Sequence, residues 1–112
     1  MLPVALTTKV SKSRCDVLDF MSGYNLVNGA RNSQNRELLT DILCGEWRFD
    51  GLVTTDWWTY GEQWKEIAAG NDLKMPVGVP DHTLMKLKSG ELSRDDVRLS
   101  VRRLLELFMK LA

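Results

Sequence analysis

One carboxylate followed by two indoles is the group in this chain best suited to chemistry. Asp56, Trp57 and Trp58 come directly after the short β-branched segment 51–55, which is typical of a buried strand. An acid just past a buried strand is costly to place unless it is solvated, paired or used. In α/β proteins the carboxyl ends of strands usually carry the chemistry. We therefore predict that Asp56 is a functional carboxylate with Trp57 as a flat apolar surface beside it; helix capping is the alternative.

Composition limits the classes of function. The chain has 112 residues, which is enough for one small domain but short of the roughly 250 residues of a complete (β/α)₈ barrel. Lys plus Arg equals Asp plus Glu, 15 against 15, so no overall field attracts nucleic acid or a membrane surface. No segment is long enough to span a bilayer. The start lacks a basic region, so no signal peptide is predicted and a cytoplasmic location is the default expectation.

Cysteine and histidine usage favours neither a metal nor a disulfide framework. Cys15 and Cys44 have no metal-type spacing, and free thiols are expected although the two can pair. His82 is the single histidine, which removes most metal and Ser-His sites. We expect no metal and no organic cofactor.

The elements alternate between strands and helices in the first two thirds of the chain. A strand is predicted over 16–21, and Asn28-Gly29 is a strong turn signal. A helix should begin near Asn35, whose side chain can cap it, and leave through Gly45. Two aromatic residues, Trp47 and Phe49, are expected to pack back beneath this helix.

The second half continues the same alternation. A helix closed by Gly70 and a short strand over 71–75 follow the Asp56 strand, and Asp81 is a predicted cap for a third helix. A fourth helix should begin at Ser93. The face predicted to pack on the core consists of Val97, Val101, Leu104, Leu105, Phe108 and Leu111. The face predicted to be solvated consists of Arg98, Arg102, Arg103, Glu106 and Lys110. This order predicts an α/β fold with parallel strands.

Four segments resemble glycoside hydrolase family 3 in its β-glucosidase-like branch. They are SGYNLVNG at 22–29, LLTDILCGEWRFDG at 38–51, TDW at 55–57 and AGNDLKMP at 69–76, in that order. The resemblance implies a partial (β/α)₈ barrel of about three parallel βα units with a C-terminal helix, spanning residues 15–112. Residues 1–14 do not match and are expected to form a poorly defined arm.

The resemblance also implies roles for particular residues. Asp56 matches the nucleophile of a retaining β-glycosidase, which attacks the anomeric carbon and forms a covalent glycosyl-enzyme. Trp57 and Tyr24 match residues of the sugar subsite, and Trp58 is a weaker candidate for sugar binding. The expected partner is a β-linked sugar or glycoside, with no nucleic acid and no membrane; self-association or a chain supplying the rest of the barrel is a further expectation.

Retaining hydrolysis also needs a second carboxyl group about 5–5.5 Å from the first. In the family this acid/base comes from a later domain. Possible substitutes here are Glu46, Asp50, Glu62 and Asp72, of which Asp72 is more typical of a structural hydrogen-bonding residue. Three interpretations follow: a glycosidase fragment nearly inactive alone, a piece that complements a second chain, or a non-catalytic α/β module with remnants of carbohydrate binding.

Overall fold

The computed structural model describes residues 17–112, so the predictions for the arm 1–14 and for Cys15 lie outside the described residues. A short 3₁₀ turn, Asn32–Gln34, precedes the first helix. The regular elements are β1 Asp19–Ser22, β2 Leu26–Val27, β3 Ala30–Arg31, α1 Glu37–Glu46, β4 Leu52–Thr55, α2 Gln63–Ala69, α3 Pro80–Ser89 and α4 Arg94–Leu111.

A small parallel sheet positions the residues predicted to be functional, which follow the carboxyl ends of its strands. β1 pairs with β4 in parallel, with Asp19 opposite Leu52 and Ser22 opposite Thr55. The crossover between them contains α1, as a parallel pair requires. The predicted α/β class is therefore confirmed. The strand predicted over 71–75 is reduced to one parallel bridge, between Leu73 and Thr54.

The turn signal at Asn28-Gly29 forms a hairpin between β2 and β3. Asn28 and Gly29 both have positive φ, 51° and 81°. This is the backbone that a tight two-residue hairpin needs, and it is the reason that Asn-Gly is favoured there. The predicted turn is confirmed, and it places Tyr24 in the connection between β1 and β2.

The first helix begins as predicted but ends differently. The Asn35 side-chain oxygen accepts a hydrogen bond from the Leu38 amide at 3.1 Å, which confirms the predicted cap. The helix is wound in π fashion, and its last bond runs from the Trp47 amide to the Ile42 carbonyl at 2.8 Å. The prediction that Gly45 forms the exit was wrong: because the wider turn closes on Trp47, the left-handed residue is Arg48, with φ 56°.

The buried core lies between one face of the sheet and the first two helices. Its members are Leu39, Leu43, Phe49, Val53 and Ala69, with Trp47 packed against them. Phe49 also meets the Phe20 ring edge-on, at 4.7 Å between centroids. The predicted return of Trp47 and Phe49 beneath α1 is confirmed. Because side chains alternate along β4, burying Val53 on this face turns Thr54 and Asp56 toward the other.

The helix boundaries after the sheet follow their glycines more closely than their acids. Gly70 and Gly90 close α2 and α3 in the left-handed conformation, with φ 113° and 85°. The prediction that Asp81 caps α3 was wrong, because Pro80 is the first helical residue and the N-cap is Val79, two residues earlier. Asp81 instead lies within that first turn.

The last helix has a confirmed start and a partly wrong face. The Ser93 hydroxyl accepts a hydrogen bond from the Asp95 amide at 3.1 Å, as an N-cap does. Arg103 is not solvated as predicted, since its side chain is 12% exposed and paired with Asp72. Conversely, four of the six residues on the predicted core face are 50–66% exposed, namely Val101, Leu105, Phe108 and Leu111. None of the helices in residues 17–112 has the length and apolar character of a membrane span.

Candidate active site

The carboxylate of Asp56 stands at the carboxyl end of β4. Its amide donates to the Ser22 carbonyl at 3.1 Å, so the residue continues the pairing with β1. One of its carboxylate oxygens, Oδ1, accepts from the Trp57 amide at 2.6 Å. The alternative role as a helix cap is wrong, since the next helix begins only at Gln63.

Asp56 and Trp57 open onto the same groove, which has a volume of about 550 Å³. The groove lies between the sheet face that carries Thr54 and the helix α4. Its walls are largely apolar, with Met21, Met75, Leu104, Leu107 and Phe108 among the lining residues. In such a groove an indole can pack against the C–H face of a ring while the carboxylate beside it attacks an electrophilic carbon.

Tyr24 is brought to the same place from the other strand. Its hydroxyl donates to the main-chain carbonyl of Trp57. The pKa of the Tyr24 phenol lies above its ordinary value, first because of desolvation and then because the neighbouring Asp56 carboxylate disfavours a second negative charge. The phenol is therefore protonated at neutral pH and acts as a donor beside the carboxylate.

Trp58 has a different environment from Trp57. Its side chain is 60% exposed and is not among the residues that line the Asp56 groove. Its backbone has φ 55°, a left-handed conformation unusual for a bulky residue. Its amide donates to the Met75 carbonyl at 3.1 Å. The structure thus brings Asp56, Trp57 and Tyr24 together and leaves Trp58 outside the groove.

The other acids considered from sequence have different surroundings. Asp72 acts as a structural hydrogen-bonding residue, since it accepts from the Val53 amide at 2.9 Å. Glu62 forms an exposed pair with Lys65 at 2.9 Å, which lowers the Glu62 pKa. Glu46 and Asp50 are exposed. None of these four lines the groove of Asp56.

Asp19 is a second carboxyl in the groove, and it was not predicted from the sequence. It lines the same groove as Asp56, and burial raises its pKa although Thr54 donates to it at 3.3 Å. The strand register separates the two acids: Ser22 faces Thr55, so Asp19 lies about four residues, or roughly 13 Å, below Asp56. Only the register of the parallel pair could have revealed this shared face.

The thiol of Cys44 lies against α4. Its sulfur accepts a hydrogen bond from the Arg103 guanidinium at 3.6 Å, and burial raises its pKa. Cys44 is free. Within residues 17–112 no three His, Cys, Asp or Glu side chains are gathered in a way that could hold a metal ion.

Curated relatives of this chain are β-glucosidases. The chain is 47% identical over 74 residues to β-glucosidase A of Butyrivibrio fibrisolvens, covering 66% of the chain and 9% of that protein. It is 40% identical over 95 residues to thermostable β-glucosidase B of Acetivibrio thermocellus, covering 81% of the chain and 13% of that protein. The chain thus spans a small part of each relative. No family model matches it.

Two solved β-glucosidase structures have a fold similar to this chain. The β-glucosidase 3B of Thermotoga neapolitana, in complex with glycerol, superposes with a TM-score of 0.80 at 30% identity, over 95% of this chain and 15% of that one. The glycoside hydrolase family 3 β-glucosidase of Bifidobacterium adolescentis superposes with a TM-score of 0.79 at 30% identity, over 83% of this chain and 14% of that one.

Proposed function

The chain belongs to glycoside hydrolase family 3 as a β-glucosidase-like segment, and on that premise we propose that it carries the nucleophile of a retaining β-glycosidase, Asp56. One observation supports this assignment above the others. The Asp56 carboxylate stands at the strand end and opens onto the groove beside Trp57, with the Tyr24 phenol as its neighbour. The substrate class is a β-linked glucoside or a closely related β-glycoside.

The proposed reaction proceeds in two displacements at one carbon. The Asp56 oxygen forms a bond to the anomeric carbon while the bond to the leaving oxygen breaks, and that oxygen takes a proton from a second carboxyl group. Water, deprotonated by the same second group, then displaces Asp56 and releases the sugar. Trp57 packs against the sugar ring, and the protonated Tyr24 hydroxyl lies beside the carboxylate and holds the Trp57 carbonyl.

The second carboxyl group is proposed to come from outside residues 17–112. It must lie about 5–5.5 Å from the nucleophile, whereas the register places Asp19 at roughly 13 Å. Two further acids, Glu66 and Asp72, are each committed to a buried cation. The chain alone is therefore expected to accept only glycosides whose leaving group departs without a proton.

We also propose that the sheet is part of a (β/α)₈ barrel, with Leu73 marking a third parallel strand. β1 has a strand partner on one side only among the described residues. Beside that edge, Met21 is 63% exposed and Phe20 39% exposed. Further barrel strands, in the same polypeptide or in a complementing chain, would pair with this edge and cover these side chains.

Labelling with a mechanism-based reagent tests the assignment of Asp56. A 2-deoxy-2-fluoro-β-glucoside with a dinitrophenolate leaving group needs no acid catalyst to form the glycosyl-enzyme. We expect one adduct, located by peptide mass spectrometry on Asp56 and lost in Asp56→Asn. The matched control is Asp50→Asn, an exposed acid near the same strand, which should label like the unsubstituted chain.

Two results would contradict the proposal. One is an adduct that persists in Asp56→Asn, because another group would then be the nucleophile. The other is the absence of any adduct from protein whose circular dichroism shows it to be folded. The latter result would favour a non-catalytic module.

A further inference from the structure

We propose that Lys74 and Glu66 are positioning residues for the sugar site, where they hold the loop that carries the two tryptophans. The loop comprises residues 57–61 and is called the site loop below. Lys74, Glu66, Thr59 and Gly61 together are called the clasp. The catalytic meaning of the clasp rests on the proposed function, but its effect on the site loop can be measured without any substrate.

The clasp is a saturated, buried set of polar contacts centred on one ammonium group. Lys74 Nζ donates to Glu66 Oε1 at 2.8 Å and to Thr59 Oγ1 at 2.9 Å. It also lies 3.1 Å from the Gly61 carbonyl and 3.4 Å from the Thr59 carbonyl. The side chains of Lys74 and Glu66 are only 9% and 1% exposed. Three of these four contacts are to the site loop, so the ammonium binds the loop as much as it binds Glu66.

Glu66 completes the set from the helix side. Its second oxygen, Oε2, accepts from the Thr59 hydroxyl at 2.9 Å, so both carboxylate oxygens are bonded. Because α2 carries Glu66 in its middle, the carboxylate is fixed by a helix rather than by a loop. A buried ion pair is rarely the most stabilising solution, since apolar residues of equal size often do as well. Its polar contacts instead specify one arrangement of the loop.

The site loop needs such an anchor because its backbone is strained. Trp58 has φ 55°, which places the β-carbon of a bulky residue close to its own backbone. Such conformations persist only when the surroundings fix them. One fixing contact is the hydrogen bond from the Trp58 amide to the Met75 carbonyl at 3.1 Å, and Met75 is the residue next to Lys74. The strained Trp58 and the rest of the site loop are therefore held by two adjacent residues, Met75 and Lys74.

Space at the other end of the site loop is equally limited. A β-carbon added to Gly61 would lie 2.4 Å from Glu66 Oε2 and 2.9 Å from the Ser33 hydroxyl. The loop thus packs directly on the carboxylate of the clasp. The Tyr24 hydroxyl also holds the site loop, at the Trp57 carbonyl. The loop is therefore held at Trp57 by one hydroxyl and at Thr59 and Gly61 by one ammonium.

Hydrogen exchange combined with glycoside labelling tests the proposal in the full 112-residue chain. Lys74→Met keeps an unbranched side chain that is one atom shorter and removes its charge. Removing the cation also leaves the Glu66 carboxylate buried alone, which lowers the stability of the whole fold. Beyond that general change, we expect amide exchange in the peptide 56–62 to accelerate about tenfold more than exchange in α4, because the lost contacts included charge-assisted hydrogen bonds. Arg102→Met is the control, since Arg102 forms an exposed pair with Glu106 at 3.8 Å.

Labelling by the fluoro-glycoside gives the catalytic half of the test. In Lys74→Met the first-order labelling rate at saturating reagent should fall about tenfold, with a rise in the reagent concentration needed for half-saturation. Arg102→Met should change neither quantity. If the unsubstituted chain forms no adduct, the proposed function fails, while the exchange result still decides whether the clasp holds the site loop.

A milder pair of variants keeps the proposal falsifiable if Lys74→Met does not fold. Thr59→Val removes the hydroxyl that contacts both Lys74 and Glu66 and preserves shape, whereas Thr59→Ser keeps the hydroxyl. We expect faster exchange in 56–62 for the valine variant and recovery in the serine variant. Acceleration spread evenly over all elements, or unchanged exchange in 56–62 for every variant, would overturn the proposal.

Discussion

Lys74–Glu66 and Arg103–Asp72 are both ion pairs removed from solvent, yet they join different kinds of structure. The first spans 2.8 Å with side chains 9% and 1% exposed, and the second spans 3.2 Å with side chains 12% and 0% exposed. By distance and burial they are alike. They differ in the other hydrogen bonds that their carboxylate oxygens and N–H groups make. One pair joins regular elements of the fold, and the other fixes the shape of the site loop.

The Arg103–Asp72 pair connects regular elements. Asp72 accepts from the Val53 amide with one oxygen and from Ser100 and Arg103 with the other, so it links β4 to α4. Burial raises the Asp72 pKa above its ordinary value in spite of the arginine. The Lys74–Glu66 pair instead connects a helix to the site loop. Two equally buried ion pairs can therefore support different things, one the whole fold and the other one local conformation.

The largest effect is expected from breaking the pair that links elements. Arg103→Met leaves the Asp72 carboxylate buried without a cation, which should lower the free energy of unfolding by about 3–5 kcal/mol. Urea unfolding measures the change, and exchange should accelerate in α4 and β4 together. The exposed control Arg102→Met should stay within about 0.5 kcal/mol of the unsubstituted chain. A loss confined to the site loop would reverse the comparison.

A smaller effect is expected from crowding the clasp without removing a charge. Gly61→Ala places a methyl group 2.4 Å from Glu66 Oε2, and we expect a loss of roughly 1–3 kcal/mol, as overpacking typically gives. The site loop should exchange faster while α4 is unchanged. Gly45→Ala is the matched control, because the added carbon would meet only the Thr40 carbonyl at 3.3 Å. Equal losses in both variants would contradict a special tightness at Gly61.

Removing the Tyr24 hydroxyl should have a modest effect confined to the site. Tyr24→Phe deletes the hydrogen bond to the Trp57 carbonyl, so labelling by the fluoro-glycoside should slow by about two- to tenfold, the value of one hydrogen bond. The control is Tyr60→Phe, since Tyr60 is 78% exposed and its ring packs under Arg31. Identical labelling rates for both variants would show that Tyr24 does not place Trp57.

The smallest expected effect is a dependence of stability on pH that arises from Asp72. Burial raises the Asp72 pKa above 3.8, so the folded chain holds this proton more tightly than the unfolded chain does. The contribution of Asp72 is therefore fully present below about pH 3.8 and declines as the pH rises through the folded pKa. Urea unfolding at several pH values should show the stability advantage over Asp72→Asn shrinking as pH rises. An advantage that grows with pH would contradict this sign.

Much of the scaffold could be predicted from local pattern. The buried strand before Asp56, the glycine ends at Gly70 and Gly90 and the cap at Ser93 all depend on residues near one another in sequence. The π winding of α1 was not predicted, because hydrophobic spacing over so few residues fits either helix type. This winding moved the chain reversal from Gly45 to Arg48.

The site was harder to predict than the scaffold because its partners are brought together by tertiary structure. Helical periodicity placed Arg103 on a solvated face, since nothing in the sequence of α4 shows that Asp72 lies beneath it. Likewise Lys74 and Glu66 meet only because the chain reverses at Gly70. The proposed roles of Asp56, Trp57, Tyr24 and Trp58 remain predictions that the labelling experiments address.

The contact between Arg103 and Cys44 makes the thiol a reporter of how α4 packs against α1. The thiol lies beneath the guanidinium at 3.6 Å, and burial raises its pKa, so little reactive thiolate is present while α4 is in place. Cys44 is only partly buried, so an alkylating reagent should modify it slowly in the folded chain and faster when the packing of α4 is loosened. The rate of modification on the Cys44 peptide should therefore rise in Arg103→Met.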